Sequence, residues 1–418
     1  MNTTTDFLLA CASGRRDAEA RADLAVCLTQ EVDWTDLLER ARQHGLLSLI
    51  YDRLRELDGV HGPAPHPSAR VPPAVMARLK AAFYTNVVRT GRLAEQLEAV
   101  VAALQRDGVT PIVLKGGALG RTVYPNPALR PMADLDLLVR PEQMPAARAP
   151  LTALGFRLPA SARMLPFQQS FGGGLDWQRE SHDGSTLLDL QHHIIGVDFV
   201  RSAFPVDVEA LWERARPLSV GHTQTLQLSP EDTLIHLCLH PALHDGFAGP
   251  LIGTVDMDRV IRTAGSDAPS ASAFWTRVVE RTVRFRVRTA VAYGLLAARR
   301  LLATPVPDDV LSALRPSRPR LDLLQRLAPL DVPSIMDRTG RAPTGARQLL
   351  LYAVLMDRPR DAAGMVRRIL FPDSAWLTVR YGLESAAQVR RYRLTHPLRV
   401  IRASVRALRR PLTQSGLE

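Results

Sequence analysis

The sequence contains almost no lysine, few cysteines and no long apolar segment. Only two lysines, Lys80 and Lys115, accompany 51 arginines among the 418 residues. No run approaches the roughly 18 apolar residues that a membrane-crossing helix requires, so no transmembrane segment is expected. The cysteines at positions 11, 27 and 238 lie far apart and form no CxxC or other metal-binding spacing. We expect them to be free, buried thiols in a protein of the reducing cytoplasm.

The chain is strongly basic, but its positive charge is not concentrated in one block. The formal net charge of +11 is compatible with an anionic partner, although the arginines are spread along the whole chain. The five tryptophans are too scattered to form a platform on which single-stranded bases stack. Nucleic acid is therefore a partner that the charge allows and does not require. A nucleic-acid-binding protein stays an alternative, which a steep loss of affinity with salt would reveal.

Changes in hydrophobic periodicity divide the chain into four regions. A small mixed sheet is expected in the second region, with helical regions before and after it, so the predicted fold class is α+β. The third region is expected to pack on the cleft of the second. The four regions are a helical part at 1–107, an α/β unit at 108–220, a helical part at 221–300 and a basic helical part at 301–418.

Turn residues and helix-capping residues mark the elements within these regions. A Gly/Pro/His-rich linker at 59–73 precedes a long amphipathic helix that begins near Ala74. A second helix is expected from Pro141 to Gly155, since proline favours the first helical turn and glycine follows the last. Ser229 has the sequence context of a helix N-cap. Strands are predicted at 108–114, 132–139, 175–181 and 185–194, and the last two are joined by a turn at 182–184.

Two aspartates alternate with leucine in the second predicted strand. Asp134 and Asp136 point to the same face of such a strand, about 7 Å apart at a rise of roughly 3.3 Å per residue. Two adjacent carboxylates repel each other unless a positive charge lies between them. Oxygen ligands of this kind suit Mg²⁺ or Mn²⁺, which in turn coordinates nucleotide phosphates. The alternative is a strand whose outer face is simply exposed to solvent.

A lysine and two glycines follow the first predicted strand and open a short helix. Gly116 and Gly117 allow the backbone close to a ligand, and the free N–H groups of a helix start favour an anion. Lys115 adds a compact charge for a phosphate, although one of two lysines can also fall here by chance. On the fourth predicted strand, Asp189 can join the face of Asp134 and Asp136 if the two strands are neighbours. The alternative for Asp189 is an aspartate that caps a turn.

These motifs resemble the nucleotidyltransferase superfamily that includes DNA polymerase beta and the antibiotic nucleotidyltransferases. That superfamily has a G[GS] turn, a DxD strand and a third acidic residue on a later strand. More closely, the chain resembles the bacterial uncharacterised nucleotidyltransferases, which share an LKG…Y…R…DxDLLV core. Further similarity is found in VDWTDLLERARQHG, HLCLHPALH with Val255-Asp256, and FPDSAWLTVRYG. The core residues here are Leu114, Lys115, Gly116, Tyr124, Arg130, Asp134, Asp136, Leu137, Leu138 and Val139.

The resemblance implies a metal-dependent nucleotidyltransferase with helices on one face of its sheet. It implies transfer of a nucleoside monophosphate from ATP or another NTP to a hydroxyl of a small molecule, sugar, peptide or RNA, with release of pyrophosphate. Asp134, Asp136 and Asp189 would then bind Mg²⁺ or Mn²⁺, and Asp189 would also act as the base. The nucleotide phosphates would be bound by Lys115, Gly116, Gly117 and Arg130.

Two residues depart from the pattern of these relatives. Gly117 stands where the superfamily often has a phosphate-binding serine, and Gln191 stands where the family tends to have histidine. Both favour a second hypothesis, in which the chain is a nucleotide-binding regulatory or partner-binding protein with little turnover. Retention of all three aspartates favours the enzyme.

Two further segments have open interpretations. Histidines at positions 236, 240 and 244 recur every four residues and would share one helical face. They could form a zinc site, belong to a helix that lines the cleft, or be packing residues. Pro241 is expected to kink that helix. The segment from 389 is basic and amphipathic, with Leu398 and Ile401 in its apolar stripe. It could contact a membrane surface or an acidic partner, or form a solvated helix that packs on the body.

Overall fold

The structure of the protein is a computed structural model, and it describes residues 3–58, 71–158, 173–182, 184–265, 267–336 and 345–409. One six-stranded mixed sheet lies between helical segments, which confirms the predicted α+β class. The strands are β1 (Ile112–Val113), β2 (Asp134–Leu138), β3 (Gly174–Ser181), β4 (Gly184–Gln191), β5 (Arg216–Val220) and β6 (Thr223–Gln227).

The strand order across the sheet is β3-β4-β2-β1-β6-β5. Two antiparallel hairpins, β3–β4 and β5–β6, form its two edges. Strand β2 is parallel to β4 and antiparallel to β1, and β1 is parallel to β6. The two central strands therefore come from the segment that carries the lysine–glycine and DxD motifs, and each edge hairpin joins one of them.

Helices precede the sheet and pack on one of its faces. The long helix α5 begins with a proline and buries a stripe that includes Leu93 and Leu97. This stripe shares a hydrophobic core with Leu135 and Leu137 of β2. The helices before and within the sheet are α1 (Thr3–Ala12), α2 (Ala18–Cys27), α3 (Trp34–Gln43), α4 (Leu47–Asp58), α5 (Pro73–Arg106), α6 (Lys115–Thr122), α7 (Arg148–Ala153), α8 (Asp198–Arg201) and α9 (Glu209–Glu213).

The helices after the sheet cover part of its other face. Ile112 of β1 and Leu138 of β2 join a second, larger core with apolar residues of these helices. The aspartates of β2 point to this same face, near the opposite end of the strand from Leu138. The helices are α10 (Pro230–His240), followed by a π-turn at Pro241–Asp245, then α11 (Ile252–Ala264), α12 (Ala268–Arg284), α13 (Arg288–Leu302), α14 (Asp308–Leu314), α15 (Arg318–Leu327), α16 (Val332–Met336), α17 (Gly345–Leu355), α18 (Pro359–Leu370), α19 (Ser374–Tyr381) and α20 (Ala386–Arg409).

Most sequence-predicted elements are found, with two differences. The segment 108–114 contributes only the two-residue strand β1, and the helix expected from Pro141 to Gly155 is broken into a 3-10 turn (Pro141–Gln143) and α7. Pro145 explains the break, because it has no N–H to continue the helical hydrogen bonds. Gly155 does end α7 with a φ of +85°, and Ser229 caps α10 through its hydroxyl. The hairpin β5–β6 was not predicted.

The remaining predictions on the ends and loops have mixed outcomes. Cys11 and Cys238 are buried, Cys27 is half-buried, and all three are free. The linker lies outside the described residues except at 71–73, as does residue 183 of the hairpin turn. Within the described ranges, none of the helices combines the length and hydropathy that crossing a bilayer requires. The division into four regions stays a prediction.

The basic C-terminal helix packs on α17, α18 and α19 and leaves part of its apolar stripe exposed. His396 of α20 is buried and accepts or donates a hydrogen bond with Tyr381 of α19, at 3.2 Å. Leu398 and Ile401, which the sequence placed in the apolar stripe, are at least half exposed. The helix is thus held by three preceding helices, and Leu398 and Ile401 face solvent.

Candidate active site

The register between β2 and β4 places two aspartates side by side. Asp136 is paired directly with Asp189 in the parallel ladder, so both side chains leave the same face of the sheet from strands roughly 4.8 Å apart. Asp134 lies two residues earlier on β2 and points to that face as well. The three aspartates that the sequence singled out therefore come together at one end of the sheet.

Lys115 brings a positive charge into this group. Its Nζ donates a hydrogen bond to Oδ1 of Asp136 at 2.6 Å, and the two side chains are 16% and 4% exposed. Lys115 begins α6 directly after β1, and its φ of +42° lies in the left-handed region. The ammonium that the sequence suggested for a phosphate is thus hydrogen-bonded to a carboxylate of the DxD motif.

Gln191 connects two of the carboxylates. Its amide nitrogen donates to Oδ2 of Asp189 at 2.5 Å and to Oδ1 of Asp136 at 3.4 Å. A histidine at this position could make the same contact only in a protonated or suitably tautomeric form. Gln191 donates at any pH and so supplies a donor between the two acids.

A fourth carboxylate extends the row and was missed in the sequence. Asp176 of β3 is paired with Asp189 across the antiparallel hairpin, so Asp176, Asp189 and Asp136 lie in one row across three strands. Asp176 is exposed at the outer end of this row. Ser181 is paired with Gly184, whereas the turn predicted at 182–184 pairs residue 181 with residue 185 and would place Asp176 opposite Leu190, so the predicted register was wrong by one residue.

Burial and mutual repulsion shift the pKa values of this cluster. Burial, as the largest cause, and the charge of Asp136 together raise the pKa of Asp189 to about 7. The same two causes raise the pKa of Asp134. Burial acts to lower the pKa of Lys115, but the charge and hydrogen bond of Asp136 outweigh it, so this pKa lies above its ordinary value. Lys115 is therefore a cation at neutral pH.

Arg130, predicted to bind phosphate, forms a buried ion pair. Its Nε and Nη2 donate to both carboxylate oxygens of Asp256 at 2.8–2.9 Å, and Asp256 is fully buried. Tyr124 donates its hydroxyl to the same carboxylate at 2.7 Å. Three residues of the family-like motifs thus form one network that ties the loop before β2 to α11. The phosphate-binding role of Arg130 stays a prediction, since its guanidinium also lines a cavity that it shares with Lys115.

The two glycines of α6 are required by close packing. A Cβ on Gly116 would lie 2.7 Å from Cγ of Met132, and a Cβ on Gly117 would lie 2.8 Å from Cγ1 of Val113. Both distances are shorter than a carbon–carbon contact allows. A serine side chain at position 117 would point into Val113 and not toward a phosphate. The helix start therefore offers backbone N–H groups only.

We expect Gly117→Ala to lower the free energy of unfolding by about 1–2 kcal/mol, because the buried, β-branched Val113 has little room to move. The matched control is Gly91→Ala in α5, where a Cβ meets nothing within 4 Å. This control should raise stability by about 0.5–1 kcal/mol through the better helix propensity of alanine. Urea unfolding of both variants tests the packing, and equal stabilisation of both would contradict it.

The three histidines of α10 and the π-turn lie beside Lys115. The His240 and His244 rings stack at 4.6 Å with an interplanar angle of 9°, and the His236 ring follows at 6.1 Å from His240. Burial lowers the pKa of His236 to about 3, with the charge of Lys115 as the next cause, and the pKa values of His240 and His244 are lowered in the same way. These rings are neutral, and Pro241 ends the α-helix as expected.

Two cavities meet at Lys115. The first, of about 170 Å³, is named here the Asp256 cavity; it lies between α10, α11, α13 and the 245–254 loop and contains Lys115, Arg130, His240, Asp245 and Asp256 in its lining. The second, of about 220 Å³, is named the His236 cavity; it lies between α6, α10, α11 and the ends of β1 and β6. In the part of the chain that the structure describes, neither ring nitrogen of His236 has a hydrogen-bond partner.

The aspartates supply the right donor atoms for a metal, but Lys115 is already hydrogen-bonded to one of them. Carboxylate oxygens are the ligands that Mg²⁺ and Mn²⁺ prefer. Over the described ranges, however, no three His, Cys, Asp or Glu side chains are placed so that they could hold a metal ion together as they stand. The histidine row is included in this finding. A metal at Asp134, Asp136 and Asp189 thus requires Lys115 to move.

Comparison with known proteins agrees with the geometry of the site. A family described as "Uncharacterised nucleotidyltransferase" matches residues 30–303, which is about two thirds of the chain. The matched part includes the sheet, the carboxylates and helices α10 and α11, each of which lines both cavities. No curated protein matches the chain. Because the match covers well over half of the chain, the protein belongs to this family of uncharacterised nucleotidyltransferases.

Proposed function

We propose that the protein transfers a nucleoside monophosphate from an NTP to a hydroxyl group of an acceptor. The acceptor oxygen forms a bond to the α-phosphorus, the bond from that phosphorus to the bridging oxygen of the β-phosphate breaks, and pyrophosphate leaves. The hydroxyl proton passes to the carboxylate of Asp189. The observation that carries this proposal is the direct pairing of Asp136 with Asp189 beside the start of α6.

The residues of the chain have separate roles in this reaction. The backbone N–H groups at the start of α6 face the phosphates, as helix N-termini commonly do. Lys115 and Arg130 offset phosphate charge, and Gln191 holds the Asp189 carboxylate in position. Mg²⁺ or Mn²⁺ would be held by Asp134, Asp136 and Asp189 and would neutralise charge on the phosphates. Catalysis then rests on positioning and on fixed charges around the phosphates.

The two cavities at Lys115 differ in charge, which supports different occupants. Among the described residues that line the His236 cavity, Lys115 and Arg216 are cationic and none is acidic. The lining of the Asp256 cavity includes the carboxylates of Asp245 and Asp256. An anionic nucleotide suits the His236 cavity, with its base near the unpartnered ring of His236. The acceptor would then enter the Asp256 cavity.

We expect His236→Leu to weaken NTP binding about fivefold to tenfold, since a hydrogen bond to the ligand contributes about 1 kcal/mol. The fold should be as stable as the wild type or more stable, because the substitution removes two buried ring nitrogens that have no partner. Titration with a fluorescent NTP analogue measures the affinity.

A second cavity variant serves as the control for His236→Leu. Ala297→Leu narrows the Asp256 cavity from α13 and should leave NTP affinity unchanged. If His236→Leu binds the analogue as tightly as the wild type, the base does not contact this residue. If Ala297→Leu is the variant that loses affinity, the two occupants are exchanged.

The transfer itself is tested with NTPs that carry the label at different phosphorus atoms. The protein is incubated with Mg²⁺ or Mn²⁺ and with separate small-molecule, peptide and RNA fractions of a cell extract. Label from the α-position should appear on an acceptor, and label from the γ-position should appear in pyrophosphate. Transfer of the γ-label to an acceptor would identify a kinase-type reaction and contradict the proposal.

One observation favours the second hypothesis, a nucleotide-binding protein with little turnover. The carboxylates already have a cation beside them, because Lys115 is hydrogen-bonded to Asp136. That hypothesis predicts NTP binding without label transfer in every extract fraction. Label transfer by the wild type that disappears in an Asp136 variant would support the enzyme and exclude the binding protein with little turnover.

A further inference from the structure

Lys115 occupies a position that a metal ion would be expected to take. Its Nζ lies 2.6 Å from Oδ1 of Asp136, and the charges of Asp189 and Asp134 also act on it. One ammonium thus pairs with Asp136 and reduces the repulsion among the three carboxylates. Part of their negative charge is compensated from within the chain.

The residue type fits this position. Fifty-one of the 53 lysine and arginine residues of the chain are arginines, yet the residue at position 115 is a lysine. An ammonium is a compact point charge on a flexible stem, whereas a guanidinium is a broad planar fork. Between carboxylates on neighbouring strands, a compact charge resembles a small metal ion more closely than a guanidinium does.

The backbone at Lys115 is also unusual. Its φ of +42° is in the left-handed region, which costs free energy for a lysine. The chain places lysine here and glycine at the next two positions, although glycine would adopt this φ without that cost. The chain makes this turn immediately after β1, and the lysine side chain reaches across to the neighbouring strand β2. Strained conformations of this kind persist where the surroundings hold them in place.

We propose that Lys115 is a tethered cation that excludes free divalent metal from the carboxylates until a nucleotide binds. This inference rests on the proposed function, because it concerns the metal and the NTP of that reaction. On binding of a metal–NTP complex, Lys115 would leave Asp136 for the phosphates, which give it a new anionic partner, and Asp136 would be free to hold the metal. Metal and NTP would then bind together, since the carboxylates keep a cation and the lysine keeps an anion beside it.

Mn²⁺ titration followed by electron paramagnetic resonance tests this directly, without measuring turnover. Lys115→Met removes the charge and leaves an unbranched side chain one heavy atom shorter, and it should bind free Mn²⁺ at least tenfold more tightly than the wild type. Lys115→Arg keeps a cation of less suitable shape and should bind free Mn²⁺ more weakly than Lys115→Met. The matched control is Lys80→Met, which removes the only other lysine, an exposed residue of α5; its affinity should not change.

A measurement on the unaltered protein covers the case in which Lys115→Met does not fold. Biosynthetic ¹³C labelling of lysine gives signals from two side chains only, and the Lys80 signal serves as the internal reference. We expect the Lys115 signal to stay in place with Mg²⁺ alone and to shift when Mg²⁺ is added with a non-hydrolysable NTP. A shift with Mg²⁺ alone, at the same concentration, overturns the proposal.

The outcomes separate this inference from the proposed function. Equal Mn²⁺ affinity of wild type and Lys115→Met overturns the inference and leaves nucleotidyl transfer intact. Weaker binding by Lys115→Met also overturns it, because the lysine would then support the metal site. If no variant binds Mn²⁺ with or without NTP, the inference and the metal dependence of the transfer both fail.

Discussion

Asp136→Asn is expected to lower kcat/KM for nucleotidyl transfer by at least about a thousandfold. Asp136 occupies the centre of the carboxylate row: it is paired with Asp189, hydrogen-bonded to Lys115 and contacted by Gln191. Asparagine keeps the shape and can still accept from the lysine, so the change removes charge with little change in packing. The rate of label transfer from an α-labelled NTP measures the effect.

The control is an aspartate-to-asparagine substitution at Asp176, on the strand next to that of Asp189. Asp176→Asn alters the exposed outer end of the row, where water screens the charge, and should lower transfer by less than about tenfold. Circular dichroism and urea unfolding establish that both variants are folded. Should Asp136→Asn keep transfer within tenfold of the wild type, the carboxylate row is not the catalytic centre.

The parts of this site that the sequence predicted correctly depend on local periodicity. Alternation of aspartate and leucine in β2 predicts that Asp134 and Asp136 share a face, because successive strand residues point to opposite faces. Asp189 was predicted to join them only if its strand were a neighbour, and the structure confirms that condition. Pairing of strands separated by about 50 residues does not follow from either strand alone.

The contacts that local patterns could not give are the long-range ones. The partner of Arg130 is Asp256, 126 residues later, and a phosphate was the simpler expectation for an arginine near a glycine turn. Likewise, the bond from Lys115 to Asp136 depends on a left-handed φ, which is favoured for glycine and not for lysine. The hairpin β5–β6 was overlooked because its strands are short and half polar, yet it supplies the parallel neighbour of β1.

Asp256→Asn is expected to lower the free energy of unfolding by about 3–5 kcal/mol, the largest stability effect that we predict for a single substitution. Asp256 is fully buried and accepts hydrogen bonds from Arg130 and Tyr124. The substitution leaves the guanidinium of Arg130 buried without a countercharge, and burying an unpaired charge is strongly unfavourable. The midpoint of urea unfolding measures the loss.

An exposed ion pair of similar geometry provides the control for this substitution. Arg140 also contacts Glu209 through Nε and Nη2, at 2.9 and 2.7 Å, but the Glu209 side chain is 58% exposed. Glu209→Gln should therefore change the midpoint of urea unfolding very little. In the double variant Arg130→Leu/Asp256→Leu no charge is left uncompensated, so it should be more stable than Asp256→Asn alone. If Asp256→Asn costs no more than Glu209→Gln, burial does not strengthen the Arg130–Asp256 pair. In that case the network does not hold α11 against the loop that leads into the DxD strand.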